Sequence, residues 1–171
     1  MLSTEILLLA AQLGEHCLRT KTVISGAESC TGGLIAAAVT SISSSSAWFD
    51  RGFVTYSNDA KMDMLGVNEK TLTDFGAVSE QTAIEMASAA LRRSRATISY
   101  SVTGVAGPTG GTATKPVGMV CFAFATANGI ETSTQHFTGD RTRVREQSVV
   151  FVLQTLQDNM MSTLARRSRP L

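Results

Sequence analysis

The strongest constraint on the fold is an alternation along the chain. Short β-branched runs at residues 22–25, 52–56 and 97–102 are separated by helical stretches. Strands that alternate with helices pair in parallel through right-handed crossovers. The first helix is predicted over residues 5–19, where Ile6, Leu9, Ala10, Leu13 and Cys17 form a 3.6-residue stripe and Ser3 or Thr4 is available as N-cap. A second runs over 32–42 and ends in a serine connector at 43–46. A third over 59–65 closes at Gly66, Asn68 caps a turn or two through Leu72, and Ser79 caps a helix over 80–93. The strand predicted at 117–126 is followed by Asn128-Gly129, a hairpin signal, so residues 130–137 return antiparallel. Asp140 opens a last helix from Arg141 to about residue 164. The expected fold is a three-layer α/β/α sandwich around a mixed, mostly parallel sheet with one antiparallel hairpin.

Composition limits the function classes. The 171 residues suit a single domain over 1–165 with a basic tail at 166–171. A formal net charge of +1 lacks the basic surplus that broad nucleic-acid or membrane-surface binding requires, so neither is expected as a partner. Cys17, Cys30 and Cys121 show no metal-ligand spacing, which fits a reducing, cytoplasmic setting and neither metal nor other cofactor. The apolar run at residues 7–11 follows Glu5 with no basic segment before it and reads as a helix of the mature chain.

Chemistry concentrates where the first strand becomes the second helix, at Ala27-Glu28-Ser29-Cys30-Thr31-Gly32-Gly33. A hydroxyl there lies beside the free N–H groups of a helix start, which can hold a developing oxyanion. The same segment also suits plain capping by Ser29 or Thr31 and a glycine turn. A serine nucleophile needs a base, and His16 and His136 both lie outside any predicted site-forming loop. Tyr56 at a strand end and Lys61 in the next helix can both face the cleft beyond the sheet's carboxyl edge. On a single helix their separation would turn them about 140° apart. Lysine acts as a base only if burial or nearby positive charge lowers its pKa, and a tyrosine between it and serine could relay the proton. The alternative for Lys61 is an ordinary solvated lysine. The loop at residues 103–111, with Thr103, Gly104, Gly107, Gly110 and Gly111, can bring backbone close to an anion or be a plain tight loop. Arg141 and Arg145 share a face at the start of the last helix, where cations are disfavoured; an anionic ligand or salt bridges to Asp140 or Glu146 would account for them.

These motifs, with Ser46-Ala47-Trp48-Phe49, Gly52-Phe53-Val54-Thr55-Tyr56-Ser57-Asn58, Gly76-Ala77-Val78-Ser79, Gly104-Val105-Ala106-Gly107-Pro108, Lys115-Pro116-Val117-Gly118 and Gly139-Asp140-Arg141, resemble the CinA C-terminal domain family over almost the whole chain. Without a second, larger domain, the chain looks like the stand-alone nicotinamide-nucleotide amidases of that family. The resemblance implies metal-free conversion of nicotinamide mononucleotide to nicotinate mononucleotide and ammonia, within pyridine-nucleotide salvage and NAD metabolism. It implies Ser29 as nucleophile, Lys61 as base and Tyr56 as relay. Thr31, Gly32, Gly33, the 103–111 loop, Arg141 and Arg145 would bind substrate, and the Gly32–Gly33 amides would hold the oxyanion. An acidic residue is common in the family where Thr109 stands here. Three alternatives are left open: Cys30 as nucleophile, a non-catalytic pyridine-nucleotide-binding module, and assembly as a homo-oligomer.

Overall fold

The computed structural model describes residues 2–167. The expected basic tail lies outside the described residues from 168 onward, and Arg167 belongs to the last helix. The elements follow as α1 (Thr4–Thr20), β1 (Ile24–Glu28), α2 (Leu34–Thr40), β2 (Phe49–Val54), α3 (Asn58–Leu65), α4 (Glu69–Phe75), α5 (Glu80–Arg92), β3 (Ile98–Gly104), β4 (Met119–Thr126), β5 (Gly129–His136) and α6 (Arg141–Arg167). No helix among the described residues is long and apolar enough to cross a membrane.

The helix starts follow from local chemistry. Ser3, Ser57, Asn68 and Ser79 each accept a hydrogen bond from a first-turn amide of α1, α3, α4 and α5, satisfying donors that have no partner within the helix. Asp140 does the same for α6 through the Arg143 amide, at 2.9 Å. α2 is the exception: Gly33 precedes it at a φ of 92° and offers no side-chain cap.

The five strands form one sheet in the order β2-β1-β3-β4-β5. β1 pairs in parallel with both β2 and β3, and β4 is antiparallel to β3 and to β5, so four strands share one direction and β4 alone opposes them. β1, wholly buried, runs two residues past Gly26, which the sequence reading took as its boundary. The physical reason is tertiary: a Cβ at Gly26 would overlap the ring of Tyr100 on β3, so the glycine makes room for an aromatic side chain and ends nothing. β2 likewise ends at Val54, two residues short of Tyr56. The hairpin closes at Thr126 opposite Gly129, which puts Ala127 and Asn128 in the turn and Gly129 in the strand.

α1, α2 and α6 pack together on one face; on the other, α5 covers β1, β3 and β4, with α3 and α4 packed against it. The larger core joins Ile6, Leu13, Ile35, Trp48, Val102, Phe122 and Leu153, and Phe122 meets the Phe151 ring with centroids 4.6 Å apart. The chain thus leaves β1 toward one face through α2 and leaves neighbouring β2 toward the other through α3. Such a divergence opens a crevice at the carboxyl ends of the strands, where ligands of open α/β sheets bind.

Candidate active site

Ser29 immediately follows β1 and is held there by its amide, which donates to Val102 O at 2.9 Å. Its side chain is 8% exposed. Lys61 enters from α3, whose start is set by Ser57, and is 1% exposed. Its Nζ donates to Ser29 Oγ at 3.0 Å and to Thr55 O at 2.9 Å. The ion pairs among the described residues, Arg51–Asp50, Lys70–Asp74, Arg95–Asp50 and Arg143–Glu146, leave Lys61 out. Burial without a carboxylate partner pulls its pKa below the ordinary lysine value of 10.5. A buried amine whose pKa is lowered, in contact with a hydroxyl, is the arrangement a serine nucleophile requires.

Tyr56 stands elsewhere than a relay would. It is 59% exposed, and its hydroxyl accepts from Arg141 Nη2 at 2.6 Å, while Lys61 reaches Ser29 with nothing between them. Cys30 is buried beside Ser29, and its thiol is pushed up to about 12, above all by burial, which keeps it protonated and a poor nucleophile.

The amides expected to hold an oxyanion are already engaged. Gly32 N donates to Ser29 O at 3.0 Å, and Gly33 N donates to a carboxylate oxygen of Glu28 at 2.9 Å. The expectation fails because a buried acid folds back beneath the helix start. The next amide, that of Cys30, meets its own thiol, and Thr31 is wholly buried. Thr31 does not cap α2 either; its hydroxyl donates to Glu28 at 2.7 Å.

The arginines of α6 tie the loops together. Arg141 Nη1 donates to Gly107 O at 2.9 Å beside its bond to Tyr56, and Arg145 Nη2 donates to Thr31 O at 2.8 Å. Neither pairs with Asp140 or Glu146; it is Arg143 that meets Glu146. Arg145 Nε is buried with no hydrogen-bond partner among the described residues. A cleft of about 480 Å³ opens beside Arg141, lined also by Ala106, Pro108, Val117, Gly139, Asp140 and Thr142; Ser29, Lys61 and Arg145 do not line it. Of the loop residues expected at substrate, Gly107 adjoins this cleft. Thr103 is 1% exposed with its hydroxyl given to Ala77 O, and Gly104 is a site of close strand approach, where a Cβ would meet Met119 O at 2.8 Å. A Cβ on Gly111 would press on Val117 N at 2.9 Å, and Gly110 turns the loop at a φ of 87°.

Glu28 and Tyr100 are the site residues sequence reasoning passed over. An acid three positions ahead of a hydroxyl and just before two glycines was a readable local signal for Glu28. Tyr100, distant in sequence, offered none.

Fold and site together define a three-layer α/β domain that pairs a serine with a buried lysine at the carboxyl edge of its sheet. The CinA C-terminal domain matches residues 7–160, and the chain belongs to that family. It is 50% identical over 157 residues to the nicotinamide-nucleotide amidohydrolase PncC of Escherichia coli K12, covering 91% of this chain and 95% of that protein. Its identity to the Enterobacter agglomerans protein of the same name is 59% over 133 residues, 77% of this chain and 81% of that one. Among solved structures, the competence/damage inducible protein CihA of Agrobacterium tumefaciens superposes with a TM-score of 0.88 at 49% identity, covering 91% of this chain and 96% of that one.

Proposed function

We propose that this protein is a serine amidohydrolase that converts nicotinamide mononucleotide to nicotinate mononucleotide and ammonia. The contact of Lys61 Nζ with Ser29 Oγ, 3.0 Å apart in a buried site, carries the reading. The names of the PncC relatives supply the substrate. With Lys61 neutral, its nitrogen takes the Ser29 proton as Oγ attacks the carboxamide carbon. The Gly32 and Gly33 amides are occupied, so the oxyanion is not assigned to them. Lys61 returns the proton to the departing nitrogen, ammonia leaves, and Ser29 carries a nicotinoyl ester. Water then attacks that ester with Lys61 again as base, which frees the carboxylate product and restores the hydroxyl.

Arg141 and Arg145 receive the substrate phosphate, guanidinium being suited to bidentate phosphate contact, and Tyr56 orders Arg141 at the rim.

The test is ammonia release from nicotinamide mononucleotide with purified protein and no added metal. Wild-type protein and Cys30→Ala are expected to turn over, whereas Ser29→Ala loses activity by about three orders of magnitude or more while keeping its fold. Turnover by Ser29→Ala refutes the assignment. Nucleotide binding without ammonia release from the wild-type protein points instead to a non-catalytic binding module.

A further inference from the structure

Glu28 is the last residue of β1 and is 1% exposed, yet it does not line the cleft and, among the described residues, forms no ion pair with Lys61. Its side chain curls beneath the turn that follows it. One carboxylate oxygen accepts from Thr31 Oγ1 at 2.7 Å, Gly33 N at 2.9 Å and Ile35 N at 3.2 Å. The other accepts from Ala36 N at 2.8 Å and Tyr100 OH at 3.3 Å. These include the first amides of α2, which has no capping side chain of its own at Gly33 and would otherwise bury unmet donors. Tyr100 reaches the carboxylate because Gly26 leaves space for its ring. Burial, the Glu28 charge and the hydrogen bond to Glu28 raise the Tyr100 pKa well above its usual value, so the phenol stays a donor.

The main chain of the same residue serves the other half of the site. Glu28 O accepts from Thr55 N at 2.8 Å, and Thr55 O in turn accepts from Lys61 Nζ at 2.9 Å. One residue therefore holds both the backbone that carries Ser29 and the carbonyl that anchors its base. The carboxylate also occupies the α2 donors, which leaves anion binding to the arginines of α6.

We propose that Glu28 is a positioning residue for the hydrolysis: its carboxylate sets the turn that aims Ser29 Oγ at Lys61, without touching substrate. The inference rests on the proposed serine mechanism. Glu28→Gln keeps the size and one acceptor oxygen but turns an NH₂ group toward backbone or hydroxyl donors, so the turn must shift. Displacements of about 1 Å at a reacting group cost on the order of 10²-fold.

Expected for Glu28→Gln are cooperative unfolding, a kcat for ammonia release from nicotinamide mononucleotide lowered about 10- to 100-fold, and a KM within about twofold of wild type. Glu28→Asp, one methylene short, is expected not to restore kcat. Tyr100→Phe, which removes a single donor, is expected to lower kcat several-fold with KM unchanged. A second readout needs no nucleotide: the rate at which a fluorophosphonate probe labels Ser29 falls in Glu28→Gln by a factor similar to kcat.

Wild-type kcat and labelling rate in Glu28→Gln overturn the proposal, as does a raised KM with kcat intact, which would place Glu28 in nucleotide binding. If Glu28→Gln fails to fold, Tyr100→Phe decides in the same terms, and unchanged kcat and labelling refute it. Glu28-dependent labelling of Ser29 in a wild-type protein that releases no ammonia would sink the substrate assignment and leave the positioning role standing.

Discussion

Replacing Lys61 by methionine separates the chemical and energetic consequences of burying an amine. The residue is 1% exposed, among the described residues its nitrogen meets Ser29 Oγ and Thr55 O, and methionine has nearly the same length without the charge. A positioned general base contributes about 10²- to 10⁴-fold, so Lys61→Met is expected to lower kcat by that factor, about 2.7–5.5 kcal/mol of barrier. Stability moves in a pH-dependent way. Burial lowers the folded-state pKa of Lys61 below 10.5, so between that lowered value and 10.5 the unfolded chain holds a proton that the folded one has released. Across this window wild-type stability rises with pH, by at most about 1.4 kcal/mol per unit. The penalty is complete below the folded-state pKa and gone above the unfolded one. Lys61→Met lacks the term, so its stability relative to wild type should be most favourable at acid pH and decline through the window. Urea unfolding from about pH 6 to 10 measures the difference, and ammonia release measures kcat. Parallel stability curves, or a loss in kcat under about tenfold, would refute the claim that Lys61 is a neutralisable buried base.

The same titration predicts that wild-type activity climbs with pH through the lowered Lys61 pKa; a pH–rate profile flat over that range counts against Lys61 as base. Tyr56→Phe should cost less than about fivefold in kcat, because Lys61 meets Ser29 directly, whereas a loss matching Lys61→Met puts Tyr56 on the proton path. Arg141→Ala should raise KM for nicotinamide mononucleotide about tenfold, charged hydrogen bonds contributing about 1.5–3 kcal/mol, and the deficit should vanish with the riboside, which carries no phosphate. Gly26→Ala should destabilise by about 1–3 kcal/mol, read as a lowered urea midpoint, through overlap with the Tyr100 ring; combining it with Tyr100→Leu should recover part of the loss.

Much of the site was legible because its signals are local. Asn68 and Ser79 announce helix starts through an amide or hydroxyl oxygen within three residues of the donors they serve, whereas the Ser57 cap that places Lys61 went unread and the helix start was set at residue 59. Ser29 was legible as the residue between a buried strand and a glycine turn. Strand ends were less so, since glycine marks a boundary only where nothing occupies the space its missing side chain leaves, and at Gly26 Tyr100 occupies it.

The sequence by itself determined the alternation of strands and helices, hence a layered α/β domain with its reactive loops at one edge of the sheet, because periodicity and capping act over a few residues. Tertiary structure alone decided that Lys61 is buried and meets Ser29 without an intermediary, that Arg141 and Arg145 bridge the loops after β1, β2 and β3, and that the first amides of α2 belong to Glu28. These facts join residues 32 to 114 positions apart, apart from the short loop back to Glu28. The free energy of such a contact depends on which groups lose water together. No local pattern encodes that until the sheet brings the carboxyl ends of its strands into one crevice.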